Sequence, residues 1–255
     1  MPHNRPVTPR FYGPDAERPG DLVGLPEEEA AHLTRVLRLG AGAVVRVFNG
    51  RGSEFEAVVE AARRGRVHLR LGAARAPAPE PRVAVTLAQA VLKGDRMDQV
   101  VRDGVMMGVA AVQPMVTART EVGLATLRRS RRRERWARIA VSSAKQCGRA
   151  TVPPILEPRL FAEVAAALAH MSLPGPGLML VEPSFADGAQ PLAELDVAPP
   201  RETTIVIGPE GGWDAAEIER AAAACRLVTL GGRTLRADVM GLVALAALYA
   251  AWREF

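Results

Sequence analysis

The chain has little from which to build disulfide or metal chemistry. Its 255 residues include two cysteines, Cys147 and Cys225, and four histidines. The cysteines lie far apart and outside any Cys-x-x-Cys spacing, which argues against a disulfide framework and for a reducing, cytoplasmic setting. His3, His32, His68 and His170 are scattered, so no metal site is expected. Aromatic residues make up only 4%, which leaves Ala, Val and Leu to fill the core. The longest apolar run, Met240 to Trp252, is too short to span a bilayer and reads as a buried C-terminal helix. The opening Met1-Pro2-His3-Asn4-Arg5-Pro6 lacks the apolar stretch of a secretory leader, so no membrane role is expected. G-x-x-x-x-G-K-[ST], G-x-G-x-x-G after a strand, and G-x-S-x-G are all missing, which sets aside a P-loop, a dinucleotide fingerprint and a nucleophile elbow.

What is present is arginine. The formal net charge is +5, and arginine dominates the positive side. Such a balance favours a polyanionic partner, since the planar guanidinium donates two hydrogen bonds at once to a phosphate. Arg128, Arg129, Arg131, Arg132 and Arg133 crowd one short stretch, followed by Arg135, Trp136 and Arg138. Phosphate contact and a solvated basic helix face are both open readings of it.

The length suits two domains. Residues 1–72 read as a compact β-rich module. Val44–Phe48 and Glu54–Glu60 flank the turn Asn49-Gly50-Arg51-Gly52, Arg66–Leu71 alternates with period two, and Glu27 to Leu37 is helical behind Pro26. Residues 73–82, rich in Ala and Pro, read as a linker. From 83 to 255 strands and helices alternate, which predicts an α/β domain with a mostly parallel sheet and helices on both faces.

The chemistry points to the ends of three strands. Thr204–Ile207 runs into Gly208-Pro209-Glu210-Gly211-Gly212-Trp213, after which Asp214 caps a helix. A second loop, Leu230-Gly231-Gly232-Arg233-Thr234-Leu235-Arg236, precedes the last helix, and Glu182-Pro183 ends an earlier strand. Ligands in parallel sheets bind at such carboxyl ends, where glycine admits a close backbone approach. The same glycines would also serve plain strand–helix connections.

These two loops, together with His32-Leu33-…-Val36-Leu37-Arg38, Lys93-Gly94-Asp95-Arg96-Met97-Asp98 and Gln146-Cys147-Gly148-Arg149, resemble the RsmE family of ribosomal small-subunit RNA uridine-N3 methyltransferases of the SPOUT superfamily. The resemblance runs nearly end to end. It implies an N-terminal PUA-like, RNA-binding β-barrel and a trefoil-knotted α/β domain, working as a homodimer. It implies S-adenosyl-L-methionine as cofactor and a uridine N3 of 16S ribosomal RNA in the small subunit as target.

Carried onto this chain, the cofactor would meet Glu182, Pro183, Ile207, Gly208, Pro209, Glu210, Gly211, Gly212, Leu230, Gly231, Thr234, Leu235 and Arg236. N3 of uridine attacks well only as the anion, so Arg236 is expected to stabilise developing charge and Asp238 to act on the proton. Asp238 could equally be the cap of the last helix. Arg10, Arg35, Arg38, Arg128, Arg129, Arg131, Arg132, Arg133 and Arg149 are the candidate RNA contacts. The chain departs from the family pattern at Met106-Met107, at Ser142 to Cys147 (notably Lys145) and at Asp238-Val239-Met240. That leaves two alternatives: a SPOUT methyltransferase for another RNA nucleotide, and a non-catalytic RNA-binding or ribosome-assembly protein on the same fold.

Overall fold

The computed structural model describes residues 8–63, 65–170, 172–173, 175–183, 188–195 and 198–254. The opening residues read above for a leader lie outside them. The chain forms two compact units, Met1–Glu80 with Ala144–Val152, and Pro81–Ser143 with Pro153–Phe255.

The first unit holds β1 (Arg10–Tyr12), β2 (Leu22–Gly24), α1 (Glu27–Ala31), β3 (Val44–Phe48), β4 (Glu54–Arg63) and β5 (Arg66–Arg75). A π-helical turn, His32–Val36, continues α1. The barrel expected here takes the form of a five-stranded mixed sheet, order β1-β3-β4-β5-β2, with β1 parallel to β3 and the other pairs antiparallel. Period-two alternation sets its faces. Val67, Leu69 and Leu71 of β5 join Phe11, Val45, Val47, Phe55 and Leu33 in one core, while Arg66, His68 and Arg70 point outward.

Two expectations change in this unit. Residues 73–75 are strand, not linker, and the stretch beyond is tied down by Ala78 N–H donating to the Gly148 carbonyl (3.1 Å) and by the Arg149–Glu80 ion pair. Arg10 and Arg149, expected at RNA, are buried instead. Arg10 pairs with Glu54 at 2.9 Å, with 11% and 5% of the two side chains exposed. It also donates to the carbonyls of Ala144, Lys145, Gly148 and Arg149 and stacks on Phe48. A guanidinium committed in this way has no donors left for an external phosphate. Lys145, one of the departures from the family pattern, pairs with Glu29 at 2.8 Å and lies over Phe11.

The second unit contains β6 (Ala84–Ala90), α2 (Arg96–Met107), β7 (Ala111–Val116), α3 (Leu124–Arg129), most of α4 (Arg132–Cys147), β8 (Arg159–Leu160), α5 (Phe161–Ala169), β9 (Gly177–Leu180), β10 (Gln190–Pro191), β11 (Glu202–Ile207), α6 (Ala215–Ala222), β12 (Cys225–Thr229) and α7 (Ala237–Ala251). The seven strands are parallel throughout, in the order β10-β12-β9-β11-β6-β7-β8.

The central strands are buried almost without interruption, as a sheet covered on both faces requires. Alternate residues divide between those faces. Ala88, Ala90, Val206 and Met179 pack with α5 and α6 residues such as Phe161, Val164 and Ala221. Leu87 and Ile207 meet α7 at Gly241, and Leu87 also meets α2 at Gly104. Burial pushes the Cys225 thiol up to about 11, which keeps it protonated and unreactive. Among the described residues no helix is long and apolar enough to cross a membrane.

Replacing Arg10 by Ala strands the buried Glu54 carboxylate. We expect a loss of about 3 kcal/mol in stability, the usual cost of breaking a buried pair, seen as a lower urea midpoint by circular dichroism. An unchanged midpoint would contradict the structural role.

Candidate active site

Strands β12, β9 and β11 lie side by side, and the segments that follow them enclose a cavity of about 390 Å³. Leu180, Val181 and Glu182 come from the end of β9, and Ile207 to Glu210 with Trp213 from the end of β11. Thr234 to Arg236 come from the segment joining β12 to α7, Ala237, Asp238 and Met240 from the first turn of α7, and Arg96 of α2 also lines the cavity. The volume lies in the range of small-molecule sites, about 300–1,000 Å³.

One side chain explains much of the shape. The Trp213 indole is buried against Phe161, with ring centroids 5.1 Å apart, and its Nε1 donates to the Leu180 carbonyl at 2.8 Å. The ring passes directly under Gly208, where a Cβ would stand 2.9 Å from Cε2. Gly212 has φ +72°, and a Cβ there would lie 2.6 Å from Glu182 Oε1. Gly208 is therefore dictated by close approach to the ring, and Gly212 by its left-handed backbone conformation. Asp214 then caps α6, accepting from the Ala216 amide at 3.1 Å, while Glu217 reaches back to the Asp214 amide.

Charged contacts hold the loop. Glu210 Oε1 accepts from the Lys93 amide (3.0 Å) and from Arg96 (3.1 Å). Partial burial pushes the Glu210 carboxyl up, but these donors outweigh it and hold it below its ordinary range. Arg119, after β7, donates to the Gly211 carbonyl at 2.9 Å. Gly211, expected at the cofactor, faces Arg119 Cβ and does not line the cavity, so a side chain there would press on Arg119.

Two polar groups face the cavity with chemical consequence. Among the described residues Glu182 Oε2 is shut off from solvent without a hydrogen-bond partner. A buried carboxylate oxygen left in this way calls for a donor from a ligand. On the same cavity, Arg236 forms a two-pronged pair with Asp238, Nε to Oδ1 at 3.0 Å and the second guanidinium nitrogen to Oδ2. Arg236 takes the cap position of α7, and Asp238 sits in the first turn, where its charge suits the helix dipole. Asp238 is thus not the helix cap.

Of the residues expected at the cofactor, Glu182, Ile207, Gly208, Pro209, Glu210, Thr234, Leu235 and Arg236 line the cavity, as does Asp238. Pro183, Gly211, Gly212, Leu230 and Gly231 do not. Leu180, Val181, Arg96, Trp213, Ala237 and Met240 were not anticipated. The sequence signal for Trp213 was its place directly after two glycines, which reads equally as core.

The remaining candidate RNA contacts differ in availability. Arg128 donates twice to the Pro158 carbonyl, and Arg133 to the Ile155 carbonyl while pairing with Glu157. Arg131 pairs with Glu134 one turn on. Arg35, Arg38, Arg129 and Arg132 are exposed. Among the described residues no ion pair engages these four.

Replacing Gly208 by Ala forces a methyl group into the Trp213 ring. We expect about tenfold weaker binding of S-adenosyl-L-methionine by calorimetry, matching about 1.4 kcal/mol of overpacking strain. Equal affinity would show that the loop yields freely.

Known proteins bear on this geometry. Residues 79–249 match the RNA methyltransferase domain family, and residues 25–72 the RNA methyltransferase PUA domain family. The chain is 33% identical to ribosomal RNA small subunit methyltransferase E of Synechocystis over 89% of its own length and 73% of that protein's. It is 27% identical to the Bacillus subtilis protein of that name over 87% of each. Its fold matches that of the Neisseria gonorrhoeae methyltransferase E bound to S-adenosyl methionine, with a TM-score of 0.83, 31% identity and 96% and 98% coverage of the two chains. A Legionella pneumophila protein solved with bound SAM gives a TM-score of 0.85 at 30% identity, again over 96% and 98%. The three strand-end segments thus sit within a fold and a sequence pattern shared along nearly the whole chain, and the protein belongs to the ribosomal RNA small subunit methyltransferase E family of RNA methyltransferases.

Proposed function

We propose that this protein transfers a methyl group from S-adenosyl-L-methionine to N3 of a uridine in 16S ribosomal RNA of the small subunit. The observation that carries the reading is the Glu182 oxygen, buried and, among the described residues, unpartnered in a cavity walled by three strand-end segments. The cofactor offers what this oxygen lacks, in its ribose hydroxyls and its ammonium group. Family membership and relatives solved with that molecule bound support the same occupant.

Glu182 would hold a donor of the cofactor. Backbone groups from Ile207 to Glu210 and from Thr234 to Leu235 would meet the adenine edge, and Leu180, Leu235 and Met240 its faces. When bound, the cofactor supplies an electrophilic methyl group on a sulfonium. The chain's own contribution to the reaction lies in Arg236 and Asp238. Uridine N3 must lose its proton, and the resulting anion spreads charge onto O2 and O4. Arg236, at the cavity wall, would stabilise that oxygen charge. Asp238 would fix the guanidinium in place through both carboxylate oxygens and take up the proton directly or through water. The target atom lies on the Watson–Crick edge, so the base must be unpaired or turned out of its stack.

We place the protein in the cytoplasm with the ribosome, assign residues 1–72 to an RNA-binding PUA-like domain and 83–255 to the methyltransferase domain, and read it as a homodimer. The outer face of α7 supports the dimer. Val239 and Val243 are exposed on it, and Leu242, Ala246, Ala247 and Ala250 complete a stripe with no polar residue. A helix apolar all round is normally covered on all sides.

The test is methyl transfer to small subunits from cells lacking this protein, followed by nucleoside mass spectrometry. N3-methyluridine is the expected product; methyl on ribose or on another base would refute the assignment. Glu182→Gln should weaken cofactor binding about ten- to hundredfold, the usual worth of a hydrogen bond to a charged group, about 1.5–3 kcal/mol. Unaltered binding would remove Glu182 from the site.

A further inference from the structure

At the closed end of the β4–β5 hairpin, Arg63 and Arg66 stand directly opposite each other across the ladder. Both side chains are exposed and lie on the outward face, since their neighbours Ala62 and Val67 pack toward the core. His68 and Ala61 form the next pair on that outward face, and the four residues line a shallow concavity. Like charges opposed across two strands are destabilising.

The rest of the same hairpin avoids this arrangement. Arg70 is held by Glu60 at 2.7 Å and Arg75 by Glu56 at 2.7 Å. The Glu60 carboxyl is held below its ordinary range chiefly by its hydrogen bond to Arg70, against a smaller effect of burial, so this acid is already committed. Among the described residues, no carboxylate forms an ion pair with Arg63 or Arg66. The outer face of one hairpin therefore carries two neutralised arginines and, at its end, two opposed arginines with a histidine beside them. Packing gives no reason for the second group, because these side chains cover no core.

We infer that the end of the β4–β5 hairpin is a contact surface for the phosphate backbone of the RNA substrate. An RNA strand supplies what the surface lacks, closely spaced anionic oxygens that no residue of the hairpin provides. Two guanidiniums facing each other across the ladder suit adjacent phosphates or one phosphate gripped from both sides. The contact is blind to base identity and serves to hold the strand. Neither arginine belongs to the arginine-rich stretch around α3 and α4, so the surface adds a contact region in the first unit. The inference rests on the RNA methyltransferase reading above.

The experiment compares wild type, the double variant R63A/R66A and the control R70A/R75A, which removes the same charge from the neutralised positions. Small subunits lacking the modification serve as the RNA probe. Affinity is measured from 50 to 200 mM salt, with cofactor binding and thermal midpoints recorded alongside. R63A/R66A should lose about tenfold or more in affinity and lower the slope of log affinity against log salt by about two, one per phosphate contact. Cofactor binding should be unchanged, and the midpoint should hold or rise as the repulsion is relieved. R70A/R75A should keep the wild-type slope.

Wild-type affinity and slope in R63A/R66A would overturn the inference, as would an equal loss in both variants, which would reduce the effect to net charge. If the wild type itself neither binds nor methylates small subunits, the proposed function falls. Wild-type methylation with an inert hairpin end would sink only this inference.

Discussion

The seating of Trp213 is the constraint on which the site depends. Its indole fills the space under Gly208, bonds the last carbonyl of β9 and packs on the first residue of α5. It thereby fixes the exits of two adjacent strands against each other and delivers the chain to the cap of α6 at Asp214. Gly208 follows from that seating, since the ring occupies the space a Cβ would need, while Gly212 follows from its left-handed backbone. Arg119, Arg96 and the Lys93 amide then hold the carbonyl and carboxylate groups that the loop presents outward.

Arginine serves two ends in this chain, and burial separates them. Arg10 and Arg149 behave as structural cross-links, Arg10 satisfying four carbonyls and the buried Glu54 carboxylate and the buried Arg149 pairing with Glu80. Arg236 stands between the classes, half fixed by Asp238 and half open to the cavity. The departures from the family pattern divide along similar lines. Lys145 is absorbed into the first unit through Glu29, and Val239 faces outward, while Asp238 and Met240 line the cavity. Of these four, only the last two face the cavity.

The sequence made the long buried strands legible. Period-two alternation and a Gly-rich turn placed β3, β4 and β5 within a few residues, and a continuous apolar run ending in glycine placed β11, because a sheet covered on both faces demands such runs. It did not reveal β1, β2, β8 or β10, which are two or three residues long and too short to carry a period. The arginine-rich stretch falls on two helices, α3 and α4, which part at Ser130, because Ser130 takes an extended backbone and its hydroxyl accepts from the Arg132 amide at 3.3 Å. In the site, the glycine loop was readable because only glycine tolerates such approach. Arg119 was not, since its partner is a backbone carbonyl and leaves no trace in side-chain spacing. Arg10 misled for the converse reason: an arginine near the start of a basic chain reads as surface until its burial is known.

Trp213 also has a spectroscopic consequence. The chain has three tryptophans, Trp136, Trp213 and Trp252, and all are buried. Of these, Trp213 alone forms part of the cavity wall, while Trp136 is bonded to Asp98 and Trp252 stacks beside Tyr249. An indole in a wall feels a new dielectric and a new neighbour whenever the space beside it fills. The protein therefore carries an intrinsic optical reporter of occupancy, against a background of two indoles that stand apart from the cavity.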